Sequence, residues 1–129
     1  MAESSEHIKY VELLINWIEK NCSKNDFGLL LADHPDHNEK PKKILGFVPD
    51  VYVEFESTII GEAKSFNDVN NSHTIEQLEA YLSYLNISKN STLLFGVNWK
   101  LHDEVHALIN KIINDKNYSN INYEILGLG

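Results

Sequence analysis

Residues 46 to 65 read GFVPDVYVEFESTIIGEAKS, two apolar-alternating runs joined by a short polar turn. Val48 to Phe55 and Thr58 to Ser65 are rich in Val, Ile, Tyr and Phe, the residues that suit a half-buried pleated surface, so two strands are predicted. Side chains alternate across a strand. Asp50, Tyr52 and Glu54 therefore share one face, and Pro49, Val51, Val53 and Phe55 the other. On the second strand Ile60, Glu62 and Lys64 oppose Ile59, Gly61 and Ala63. The apolar face calls for a helix, and Gly61 and Ala63 are small enough to let one approach. A three-residue turn at Glu56-Ser57-Thr58 would pair Phe55 with Ile59 and set Asp50 opposite Lys64. Glu62 would then be the diagonal neighbour of Asp50, about 7 Å away at the backbone.

The flanking segments supply the rest of a layered domain. Residues 6 to 22 form a predicted amphipathic helix, with Ile8, Val11, Ile15 and Ile18 at helical spacing, Leu14 and Trp17 widening the stripe, and Ser4 or Ser5 as its cap. Phe27 to Ala32 reads as a short buried strand, and Asp33 to Lys43 as a charged loop. After the hairpin, Phe66 to Ser72 is a polar loop. Ser72 or Thr74 is placed to cap a helix whose stripe is Ile75, Leu78, Leu82 and Leu85. Thr92 to Trp99 is an apolar strand, 101 to 116 a helix striped by Leu101, Val105, Leu108, Ile109, Ile112 and Ile113, and Ile121 to Leu126 a closing strand. The predicted order is α-β-β-β-α-β-α-β, an α/β fold with a mixed central sheet flanked by helices. The fourth strand, its following helix and the last strand fit a parallel crossover.

Length and composition narrow the function classes. A chain of 129 residues fits one domain spanning 1–129. It has no apolar run long enough to span a membrane and no apolar leader at its start, so a cytoplasmic location is the expectation. A single cysteine, Cys22, excludes an intrachain disulfide. Eleven basic against nineteen acidic residues give a net charge of −8, which argues against broad nonspecific nucleic-acid affinity. Any grip on phosphates must then be local, metal-assisted or supplied by a partner.

The chemistry lies on the polar face of the hairpin. Asp50 and Glu62 can both reach one hard cation, and Mg²⁺ is often held by one or two carboxylates with water and phosphate completing its shell. Such a metal activates water and offsets phosphate charge, and an adjacent ammonium assists both. Two carboxylates and a lysine on one wall make a minimal phosphodiester hydrolase.

Pro49-Asp50 on one strand and Glu62-Ala63-Lys64 on the next resemble the signature of the PD-(D/E)xK nuclease superfamily, whose fold is restriction-endonuclease-like. Gln77-Leu78-Glu79-Ala80-Tyr81 resembles the Q-x₃-Y motif of its RecB-like branch, and the succession of elements is similar to its core from about Glu12 to Trp99. The resemblance implies a metal-dependent nuclease, endo- or exonucleolytic, acting on nucleic acid and most simply on DNA. It implies Mg²⁺ or Mn²⁺ held by Asp50, Glu62 and the carbonyl of Ala63, with Lys64 positioning the attacking water. Gln77 would bond near Lys64 or the scissile phosphate, Tyr81 would support it or simply pack in the core, and Glu12 or Glu19 would be the first-helix acid.

Further candidates surround this set. His73, at the start of the helix carrying Gln77, is placed to meet a phosphate. Lys40, Lys42 and Lys43 are candidates for the nucleic-acid backbone, or form a solvated charge run. His34 and His37 have the spacing of a zinc pair without further ligands, so a loop on nucleic acid or in solvent is the expectation. His102 and His106 are expected at the surface of the last helix. A homodimer, or service as a subunit of a larger complex, would supply what so small a domain lacks. The alternative function is a catalytically silent nuclease fold used for binding or assembly.

Overall fold

A computed structural model describes residues 5–22, 30–36, 39–54, 56–69 and 71–128. In it the alternating runs are strands and the 3.6-residue stripes are helices, in the predicted order: α1 (Ser5–Asn21), β1 (Leu30–Ala32), β2 (Val51–Glu54), β3 (Thr58–Ala63), α2 (Ser72–Asn86), β4 (Ser91–Asn98), α3 (His102–Lys116) and β5 (Ile121–Leu128). Short 3-10 turns occupy Phe66–Asp68 and Trp99–Leu101. The strands make one open sheet in the order β1-β2-β3-β4-β5, antiparallel from β1 to β3 and parallel from β3 to β5. The expected crossover from β4 through α3 to a parallel β5 is present. Of the predicted first strand, residues 27–29 lie outside the described residues, as does His37. No helix among the described residues is long and apolar enough to cross a membrane.

Helices cover both faces of the sheet. Val11, Leu14 and Ile18 of α1 are fully buried against Val51, Val53, Ile59, Ala63 and Leu94, the apolar side of the hairpin. Gly61 is what permits the approach: a Cβ there would stand 3.1 Å from Val51 Cβ and 3.2 Å from Leu14 Cδ1. On the opposite face Leu78, Tyr81, Leu82 and Leu85 of α2 join Val105 and Ile109 of α3 over Tyr52, Ile60, Leu93, Phe95 and Val97.

Three local expectations need correction. The hairpin ladder pairs Glu54 with Thr58, Val53 with Ile59 and Val51 with Gly61. Thr58 therefore belongs to the strand rather than to the turn, and Ile59 pairs with Val53; Phe55, its expected partner, lies outside the described residues. The slip is two residues, so the facing of every side chain survives while its opposite number changes. The cap of α2 is Asn71, whose side-chain oxygen accepts from the Thr74 backbone N–H at 2.8 Å, rather than Ser72 or Thr74. Asn71 has the extended backbone an N-cap requires. The predicted start of β2 at Val48 is also too early: Ile44 and Phe47 exchange backbone hydrogen bonds across a two-residue turn. Leu45 and Gly46 both have positive φ, 48° and 96°, as a tight two-residue turn demands.

Gly61→Val puts a branched side chain where α1 sits on the sheet. Urea unfolding is expected to show a loss of about 1–3 kcal/mol or more, and an unchanged midpoint would contradict the close approach of α1.

Candidate functional site

The register delivers the two carboxylates to one spot. Continued one step beyond the Val51–Gly61 pair, it sets Asp50 directly across from Glu62, closer than the diagonal placement expected from the sequence, with Lys64 beyond. Asp50 is only 7% exposed and Glu62 only 5%. One Asp50 oxygen accepts from the Ala63 backbone N–H at 2.8 Å, which ties the end of β3 to the start of β2. Glu62 Oε1 accepts from the Tyr81 hydroxyl at 3.1 Å, and its other oxygen lies 3.5 Å from Lys64 Nζ.

Burial governs the electrostatics. Desolvation first, and the negative Asp50 beside it second, push the Glu62 carboxyl well above the ordinary carboxylate range; Lys64 and the Tyr81 hydrogen bond pull the other way without cancelling them. The closeness of the Asp50 carboxyl adds to the upward push. Burial and the same pair raise the Tyr81 phenol, keeping it a hydrogen-bond donor. Lys64, 3.5 Å from Glu62, is the cation beside the pair, and the Glu62 carboxyl stays raised despite it.

The first helix contributes a residue the sequence reading missed. His7 Nε2 lies 3.1 Å from Asp50 Oδ1, with its side chain mostly covered. The signal for it existed, because His7 precedes Val11, Leu14 and Ile18 by four, seven and eleven residues, one turn before the buried stripe begins. Glu12 lies elsewhere, half-exposed and 3.7 Å from His34. Glu19 is exposed beside the same small cleft, which Glu12, His34 and Asp36 also line.

The other candidates divide. Gln77 is buried one turn before Tyr81 on α2, and its side-chain oxygen has no hydrogen-bond partner among the described residues. His73 is exposed, its ring edge-on to Phe47 at 5.7 Å, and Phe47 is edge-on to Tyr81 at 6.5 Å. Lys40 pairs with Asp33 at 3.2 Å, and the Asp33 N–H donates to the Asp50 carbonyl, so this ion pair flanks the site. Lys42 stands at the other end of β2, 3.3 Å from Glu54 and over the rings of Tyr52 and Tyr84. Lys43 is exposed. His102 and His106 stack on the outer side of α3, with His106 bonded to the Tyr123 hydroxyl at 2.9 Å.

Among the described residues, no three His, Cys, Asp or Glu side chains form a group that could hold a metal ion. The chemistry of the pair nevertheless fits a hard divalent cation, since Mg²⁺ commonly takes one or two carboxylates and leaves its remaining positions to water and phosphate. Asp50 and Glu62 are the residues that would hold it. No family model matches the chain, and no curated protein and no solved structure matches it.

The raised Glu62 carboxyl has a sign that can be measured. The folded state keeps this proton to higher pH than the unfolded chain does. Stability from Glu62 is therefore greatest in acid and is lost as pH rises through the raised folded value. Glu62→Gln retains an acceptor for Tyr81, so in EDTA its melting temperature should exceed the wild type's at pH 8. The gain should shrink as pH falls toward the ordinary carboxylate range. A lower melting temperature than wild type at pH 8 would contradict the raised carboxyl.

Proposed function

We propose that the chain is a divalent-metal-dependent nuclease that hydrolyses phosphodiester bonds, most simply in DNA. The observation that carries this reading is the buried Asp50–Glu62 pair with the Lys64 ammonium 3.5 Å from Glu62. Keeping two carboxylates side by side out of water is costly unless a cation or proton joins them. The resemblance of Pro49-Asp50, Glu62-Ala63-Lys64 and Gln77 through Tyr81 to the PD-(D/E)xK signature supports the same reading. So does the order α-β-β-β-α-β-α-β around a mixed open sheet.

In this reading Asp50 and Glu62 would hold Mg²⁺ or Mn²⁺, and a bound ion would supply charge neutralisation at the phosphate and acidify water. The chain's own groups do the positioning. The Ala63 N–H fixes one Asp50 oxygen and Tyr81 fixes one Glu62 oxygen, so both carboxylates are oriented before any ligand arrives. Lys64 donates to the attacking water or to a non-bridging phosphate oxygen. His7, against Asp50, is placed to steady that carboxylate or to donate to the leaving oxygen. Gln77 offers its buried amide oxygen to a donor on the incoming ligand.

A second reading, a catalytically silent fold used for binding or assembly, is favoured by the net charge of −8 and by the lack of a third clustered ligand among the described residues.

Purified protein incubated with single-stranded, duplex and branched DNA and with RNA separates the two. With Mg²⁺ or Mn²⁺ cleavage is expected, with EDTA none. Asp50→Ala and Lys64→Ala should each lose about 10²-fold or more in rate. No cleavage with either metal, or wild-type rates in both variants, contradicts the nuclease reading and leaves assembly.

A further inference from the structure

A cleft of about 460 Å³ opens between the first turns of α1 and the ends of β4 and β5, lined by Lys9, Lys100, Phe66, Asn98, Leu128 and Glu6. Asp50, Glu62 and Lys64 do not line it, but chain neighbours of that site do. Phe66 follows Lys64 by two residues, and the Lys64 N–H donates to Gly96, two residues before Asn98. His7, which meets Asp50, belongs to the same stretch of α1 as Glu6 and Lys9. The cleft therefore lies at the carboxyl ends of the parallel strands, where open α/β sheets take their ligands.

Its lining carries two lysines, Lys9 and Lys100, against one carboxylate, Glu6, with Glu12 beside Lys9 in the adjoining hollow. Lys40, Lys42, Lys64, Lys89 and Lys111 are each paired with a carboxylate, whereas Lys9 and Lys100, like Lys20, Lys43 and Lys116, have no ion pair among the described residues. On a protein of net charge −8 the lining itself holds one more cation than carboxylate. Phe66 and Leu128 line it with apolar surface at 48% and 41% exposure.

Uncommitted ammonium groups interleaved with an exposed aromatic ring are what a single strand of nucleic acid binds: cations track its phosphates and rings stack its bases. A cleft of this volume takes one small ligand, so it suits a nucleotide of an unpaired strand, whose base face is free to stack. We propose that this cleft is the track by which single-stranded DNA reaches Asp50 and Glu62, with Lys9 and Lys100 on its phosphates and Phe66 under a base. The choice of DNA rests on the nuclease reading; the cleft's charge and aromatic lining do not.

Binding of a short fluorescent single-stranded DNA, measured by anisotropy in EDTA across a salt series, tests the track without requiring cleavage. Lys9→Ala and Lys100→Ala should each weaken binding and each reduce the slope of log affinity against log salt by about 0.7. Phe66→Ala should weaken binding about fivefold or more and leave the slope unchanged. Lys20→Ala, outside the cleft, should bind like the wild type. No binding, wild-type binding by the three cleft variants, duplex binding as tight as single-strand binding, or tighter binding of RNA would each overturn the proposal. DNA that binds through the cleft but is never cut on addition of Mn²⁺ sinks the hydrolase reading and leaves the track standing.

Discussion

Asp50 and Glu62 meet at one buried point, and every layer of the fold contributes to holding them there. Two carboxyls covered to better than nine-tenths, on neighbouring strands, repel one another in a medium that screens poorly. The fold meets that cost with fixed donors. The Ala63 N–H holds Asp50, the Tyr81 hydroxyl holds Glu62, and His7 and Lys64 stand on the outer sides of the pair. Each comes from a different part of the chain: β3, α2, α1 and the segment leaving β3. The pair is therefore also a meeting point of the layers, and its geometry is only as exact as their packing.

That packing is set on the far side of the sheet from α2. Leu14 seats over Gly61, and Tyr10 crosses Gly96 closely enough that a Cβ there would stand 3.4 Å from its own Cβ. These two contacts set how far α1 slides and how it rolls on the sheet. They decide that its first turn ends over the start of β2, with His7 against Asp50, and that Glu12 points to His34. The same placement opens the cleft between α1 and the ends of β4 and β5. A core contact with no chemical role of its own thus selects the polar residue that joins the carboxylates.

Much of this was legible in the chain. The order of elements, the two faces of the hairpin and the need for a helix over Gly61 and Ala63 follow from periodicity and side-chain size. Asp50, Glu62, Ala63, Lys64 and Tyr81 do come together. The basic run did not behave as a unit: Lys40 is held by Asp33 beside the site, whereas Lys42 is drawn to Glu54 and two tyrosine rings at the opposite end of β2. Loop charges carry no periodicity, so nothing local indicates which carboxylate each will find. The cap of α2 was misplaced for a related reason. Asn71, Ser72 and Thr74 are all competent caps, and the bond Thr74 makes to the Asp68 carbonyl draws it into the helix instead.

The sequence by itself determined that Glu62 and Lys64 share a face, and that Asp50 shares a face with Tyr52 rather than with Val51, because the pleat is local and has period two. That Asp50 faces Glu62 and not Lys64, and that the first helix brings a histidine rather than a glutamate to Asp50, came from long-range packing. Register and helix roll are settled by contacts between residues far apart in the chain. A shift of two residues or a fraction of a turn changes every partner while leaving the local pattern of the sequence the same.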